Sequence, residues 1–116
     1  MQGEVLKGHL DLLLLAALAA EPAHGYGIMK DVEQQSGGAV RLRPGTLYAA
    51  LAELVEEGLI EIDSEEVVQS RLRRNYRLTA PGARALSAEA DRRRAAALTA
   101  GRRLRNSGLL AGGGAA

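Results

Sequence analysis

Apolar positions follow two rhythms along this chain, and each change of rhythm marks an element. Residues 8–20 are almost wholly apolar. Leu10, Leu13, Leu14, Ala17 and Leu18 form one stripe, and Leu12, Leu15 and Ala16 make the other side apolar too. A helix apolar all round is buried all round. A domain this small can hardly cover it alone, so a partner chain is expected against one side. Glu21-Pro22 ends it, because the residue before proline is pushed out of the α region. His24 to Gln35 predicts a second helix, with Tyr26, Met29 and Val32 at helical spacing, and Ser36-Gly37-Gly38 stops it.

Pro44 suits the first turn of a third helix, where its missing N–H would have had no partner. Leu47, Leu51, Leu54 and Val55 then give an i, i+4, i+7, i+8 core stripe, closed by Gly58. Here the rhythm becomes period two. Ile60 and Ile62 alternate with Glu61 and Asp63, and Tyr76 and Leu78 alternate with Asn75 and Arg77. Both patterns predict half-buried strands, joined by a loop over about residues 64–72. Thr79 is an N-cap and Pro81 a first-turn residue for a fourth helix that reaches about Arg105. Its spine is thin: Ala83, Leu86, Ala90, Ala97 and Leu104, interrupted by Arg94 and Gly101. Such a helix is marginal alone in water and is expected to pack on a helix of a second subunit. The glycine-rich tail from Gly108 reads as disordered.

The fold class is therefore mainly α with a small β-hairpin. A winged helix-turn-helix over residues 5–79 precedes a dimerisation helix over 80–106 and a disordered tail over 107–116. A length of 116 residues allows one modest core.

Composition narrows the chemistry. There is no Cys, which removes disulfides, thiolate metal sites and a thiol nucleophile. The N-terminus lacks the basic segment of a secretory signal. The apolar run Leu10 to Ala20 is shorter than the about 20 residues that span a bilayer. A soluble, cytoplasmic protein is expected. The net charge of +1 hides an asymmetry: up to Val67 there are 4 basic and 12 acidic residues, and from Val68 onward 11 basic and 2 acidic. The positive half would attract phosphate backbones or acidic partners.

The third helix has the polarity of a DNA reader. Arg41, Arg43, Thr46 and Tyr48 lie at its N-terminal end, and Glu53, Glu56 and Glu57 lie toward its C-terminal end. In helix-turn-helix domains the N-terminal residues of the recognition helix meet base edges. Thr46 offers a hydroxyl or methyl to a base, Tyr48 a phenol to phosphate, and Arg43 a guanidinium to phosphate or guanine. Arg71, Arg73 and Arg74 crowd the expected hairpin tip, where they would grip phosphate or enter a minor groove. The runs Arg92-Arg93-Arg94 and Arg102-Arg103-Arg105 spread around a helix and read mainly as solvated, or as partners for acids of a second subunit. No residue set supplies a nucleophile, base and orienter, so no catalytic residue is assigned. His9 and His24 have no companions at metal-ligand spacing, and His24 reads as a polar or capping residue. No phosphate-binding glycine motif and no cofactor site are found.

Four segments together resemble the PadR family of transcriptional regulators, in its short form with a single C-terminal helix. They are Ala23-His24-Gly25-Tyr26, Pro44-Gly45-Thr46-Leu47-Tyr48, Glu56-Glu57-Gly58-Leu59-Ile60, and Tyr76-Arg77-Leu78-Thr79 followed by Pro81-Gly82. The resemblance covers roughly residues 5–90. It implies a homodimer that represses transcription on an inverted-repeat operator in double-stranded DNA, often released by a small-molecule effector. It also implies pairing through the first and last helices, assigned to Leu10, Leu13, Leu14, Leu86, Leu98 and Leu104. Tyr26 joins Arg43, Thr46, Tyr48, Arg71, Arg73 and Arg74 as an expected DNA contact. Departures from the family pattern include Arg43 for serine, Ala49 for proline, Gly27 for glutamate, Ser70 for glycine and Leu72 for proline. Two alternatives stand: a winged-helix protein–protein adaptor, and a ligand or metal sensor with a secondary DNA role.

Overall fold

The computed structural model describes residues 8–110. Seven elements follow in order: α1 (His9–Ala17), β1 (Ala23–His24), α2 (Gly25–Gln35), α3 (Pro44–Glu56), β2 (Ile60–Val68), β3 (Arg71–Leu78) and α4 (Ala80–Ser107). The three strands form one antiparallel sheet in the order β1-β3-β2. This is a winged helix-turn-helix with a long terminal helix.

The first helix stops earlier than Glu21-Pro22 alone requires. The N–H groups of Leu18 and Ala19 turn back to the carbonyls of Leu15 and Ala16 at 3.1 and 3.2 Å, tightening the last turn. The chain must straighten there, because Ala23 and His24 pair with Tyr76 and Asn75 of β3. A two-residue strand has no periodicity, so His24 reads from sequence as part of the helix that follows.

The chain itself buries much of α1, leaving Leu10, Leu12, Ala16 and Ala17 partly exposed. Leu13, Leu14, Leu15 and Leu18 join Ile28, Val32, Leu47, Leu51, Leu54, Leu59, Ile60, Tyr76 and Ala85 in one core. Leu14 is 0% exposed, so neither it nor the buried Leu13 has surface left for a partner; Leu10 and Leu86 are half-buried at its edge. Val55 leaves the expected stripe of α3 and stands 37% exposed. At 3.6 residues per turn it lies about 80° round the helix from Leu47, whereas Leu54 lies within about 20°.

The hairpin is also longer than expected. Residues 64–68 and 71–74 are strand, not loop, and only Gln69 and Ser70 turn. Both have positive φ, 53° and 66°. Two successive left-handed residues are the geometry of a tight two-residue hairpin, which favours Asn-Gly. Asp63 is an extra residue on β2, a bulge between the pairs Ile62–Tyr76 and Ser64–Asn75. The bulge breaks the alternation in sequence, and the strands beyond it are largely exposed on both faces. That is why they read as a loop.

The start of α4 is clamped to the end of α3. The Thr79 hydroxyl donates to the Gly58 carbonyl at 2.6 Å and accepts the Gly82 N–H at 3.1 Å. The Leu59 carbonyl accepts the Thr79 N–H at 3.1 Å and occupies the space a Cβ on Gly82 would need. Further along, the Glu89 carboxylate accepts hydrogen bonds from Arg92 and Arg93, which hold it below the ordinary carboxylate range. Arg93 also donates to His9 Nδ1 at 3.2 Å, tying α4 to α1. Arg94 pairs with Asp91 of its own helix. The first arginine run is thus engaged within the chain and does not need a second subunit's acids.

Beyond this point α4 leaves the body. The radius of gyration is 17.7 Å, against about 13 Å for a compact chain of this length. Leu98, Leu104, Leu109 and Leu110 are all exposed. Leu109 and Leu110 keep helical backbone past Gly108, where disorder was expected; the rest of that tail, 111–116, lies outside the described residues.

The wing turn yields a test. Ser70→Gly relieves a left-handed side chain and should raise unfolding stability by about 1 kcal/mol, read by urea denaturation. An unchanged or lower midpoint would show that Ser70 is not strained.

Candidate nucleic-acid interface

A groove of about 700 Å³ runs between the start of α2, the middle of α3 and the wing. Tyr26, Tyr48, Arg71, Arg73, Arg74 and Tyr76 line it, with His24 and Gly25 at one end. His24 is the N-cap of α2, and its Nδ1 accepts the Gly27 N–H at 3.1 Å. That bond fixes the neutral ring's proton on Nε2. The same residue ends β1, so the start of α2 and the wing strand share one backbone frame.

Two motifs meet inside this groove. A Cβ on Gly25 would overlap the Tyr48 phenol. The glycine is there because the tyrosine of α3 lies against the first turn of α2. Each motif is visible in the sequence, but no pattern there signals the contact between them. Tyr26 is 62% exposed, and Lys30, one turn along α2, places its Nζ 5.7 Å from the ring centroid. Lys30 adds a cation beside the expected site that sequence reading did not select.

Five of the expected contact residues, Tyr26, Tyr48, Arg71, Arg73 and Arg74, come together in the groove. Arg43 and Thr46 do not. They lie on another face of α3, in a shallow depression with Gly45, Ala49, Ala50 and Glu53. Two residues along a helix turn about 200°, so Thr46 and Tyr48 point nearly oppositely. The start of α3 therefore presents two chemical surfaces, one small and hydroxyl-bearing, the other aromatic. Arg43 has no side-chain cap bond to the helix and no ion pair among the described residues.

The wing is less basic than its arginines suggest. Arg74 Nε lies 2.7 Å from Glu65, Arg73 lies 3.9 Å from Glu66, and Arg77 lies 2.7 Å from Glu61 and 3.2 Å from Asp63. Hydrogen bonds from Arg74 to Glu65 and from Arg77 to Glu61 raise both guanidinium pKa values further above their ordinary range. Asn75 adds contacts to Ser64 and Glu66. Arg71 has no ion pair among the described residues. The expectation of a bare basic tip is corrected: the arginines sit on a strand, Arg73 and Arg74 against acids and Arg71 opposite Val68, and the tip itself is Gln69-Ser70. Val67 and Leu72, paired beside it, are exposed. Among the described residues, no group of three or more His, Asp or Glu side chains could hold a metal ion.

A model described as the transcriptional regulator PadR-like family matches residues 14–88, more than half of the chain. The chain belongs to that family. A PadR family transcription regulator from Clostridium difficile R20291 shares the fold with a TM-score of 0.70 at 24% identity, covering 84% of this chain and 99% of that one. Bacillus subtilis PadR, solved in complex with operator DNA, gives a TM-score of 0.60 at 23% identity over 67% of this chain and 45% of that one. The transcriptional regulator YqjI of Escherichia coli K12 is 37% identical over 59 residues, which are 51% of this chain and 28% of YqjI. An uncharacterized protein of Lysinibacillus sphaericus is 26% identical over 87 residues, 75% of this chain and 80% of that protein.

In this PadR-like chain the His-Gly-Tyr and Pro-Gly-Thr-Leu-Tyr segments are two halves of one contact. Gly25→Ala should cost about 1–3 kcal/mol in the parent by overpacking the Tyr48 ring. In a Tyr48→Ala background the added methyl has room, and the cost should largely vanish. Urea denaturation of the four chains reads the coupling; additive effects would refute the contact.

Proposed function

We propose that this protein is a sequence-specific, DNA-binding transcriptional regulator that acts as a homodimeric repressor on an inverted-repeat operator. One observation carries the reading. The N-terminal half of α3 is exposed on two faces, and the groove beside it collects two tyrosines and the wing arginines, in a chain of the PadR-like family. A recognition helix enters the major groove through its N-terminal residues. On this reading Arg43 and Thr46 face base edges, Tyr26 and Tyr48 touch the backbone, and Arg71, Arg73 and Arg74 lie beside phosphates or the minor groove. The operator complex solved for Bacillus subtilis PadR supports it.

The dimer is proposed through the distal part of α4, where Leu98 is 62% and Leu104 44% exposed. The half-buried edges at Leu10 and Leu86 would complete the seam, while Leu13 and Leu14 serve the subunit's own core. A small-molecule effector would act by changing how two subunits are spaced. No helix among the described residues is long and apolar enough to cross a membrane. The adaptor reading gains one observation, the self-paired wing with Val67 and Leu72 exposed beside its tip. It predicts no shift of any DNA fragment.

Purified protein should shift DNA from upstream of its own coding sequence in a gel assay, and a failure at low salt would favour the adaptor. Arg71→Ala should weaken binding to all duplexes and lower the salt slope by about 1. An unchanged slope would remove Arg71 from the interface. Thr46→Ala should leave the slope alone and narrow the preference for the shifted fragment over random duplex; an unchanged ratio would place Thr46 outside base contact.

A further inference from the structure

The wing carries four acids on β2, Glu61, Asp63, Glu65 and Glu66, and four arginines on β3, Arg71, Arg73, Arg74 and Arg77. The register decides which of them meet. Beyond the Asp63 bulge, Glu65 stands opposite Arg74, Glu66 opposite Arg73, and Val67 opposite Leu72. If Asp63 instead paired with Asn75, the register would continue unbroken from Ile62–Tyr76. Glu65 would then face Arg73, Ser64 would face Arg74, and Glu66 would face the aliphatic Leu72. The bulge is therefore what matches both glutamates to both arginines.

A guanidinium uses the same fork of N–H donors for a carboxylate as for a phosphate. Arg74 already gives its Nε to Glu65 at 2.7 Å, and Arg73 lies 3.9 Å from Glu66. A phosphate arriving at either arginine must share its N–H donors with a carboxylate and tolerate that negative charge beside it. Arg71 faces no such competition, since Val68 stands opposite it.

We propose that Glu65 and Glu66 limit the sequence-independent affinity of the wing by holding Arg74 and Arg73 away from phosphate. This rests on the DNA-binding reading above. The consequence is discrimination. If the wing grips any duplex weakly, occupancy depends more on what α3 meets in the major groove. The two glutamates act through the arginines they pair with and are positioning residues.

The test is fluorescence anisotropy of the full chain on a labelled random-sequence duplex across a potassium chloride series. Glu65→Gln with Glu66→Gln keeps shape and hydrogen-bonding capacity while removing charge. This variant should bind roughly tenfold tighter or more at moderate salt, and its salt slope should steepen by about 1.8, the value for two additional phosphates. Each single variant should give about half the change in slope, and thermal melts check that all remain folded. Glu56→Gln, two turns along α3 from Tyr48, removes one charge elsewhere and should leave the slope unchanged. In an Arg73→Ala, Arg74→Ala background the glutamine pair should gain much less. An unaltered slope in a parent that binds overturns the inference, as does an equal gain in the arginine-less background, which would reflect net charge alone. Binding by none of the chains at low salt overturns the DNA reading and the inference with it.

Discussion

The molecule depends on one strand, β3, being paired along both edges. A two-stranded hairpin alone is marginal in water. Here the pairing of Ala23 and His24 with Tyr76 and Asn75 converts the hairpin into a three-stranded sheet. Tyr76 drops from that central strand into the core beside the leucines of α1 and α3. His24, the other end of the pairing, caps α2. One short bridge therefore fixes the wing, the start of α2 and, through Gly25 against Tyr48, the orientation of α3. The clamp of Thr79 on Gly58 does the same for α4 at the opposite end of the hairpin.

Given that frame, charge is organised at short range. Arginines of β3 face acids of β2, and arginines of mid-α4 face Glu89 and Asp91. The asymmetry between the two halves of the sequence largely cancels where the strands meet. The cations without an ion pair among the described residues are fewer: Lys30 on α2 beside Tyr26, Arg43 before α3, Arg71 near the wing tip, and Arg102, Arg103 and Arg105 on distal α4. Exposed charges reach only about 8–10 Å at physiological salt, so steering toward a polyanion falls to these sites.

Much of this was legible in the sequence. The three core helices, the hairpin and the capped fourth helix announce themselves through period, Pro44, Gly58 and Thr79. The outer half of the wing did not, because its strands are exposed and held by ion pairs, and a charged, exposed stretch looks like loop. How much of α1 its own subunit buries is not legible, because an apolar helix does not say which chain covers it. Tyr26, Tyr48 and the wing arginines were selected one by one from composition and motif, and the structure places them in one groove. What no pattern could give is the opposition of Thr46 and Tyr48 across α3, or the bulge at Asp63 that sets which charges pair. Both are consequences of register, and register is fixed by partners distant in sequence.

The central claim is that two copies of this groove and helix read a symmetric DNA sequence. Selection of bound fragments from a pool of random duplexes, with the full chain, tests it most directly. The account predicts enrichment of an inverted repeat whose half-sites lie about one helical turn apart. Recovery of no enriched sequence, or of a single unpaired half-site, would contradict it.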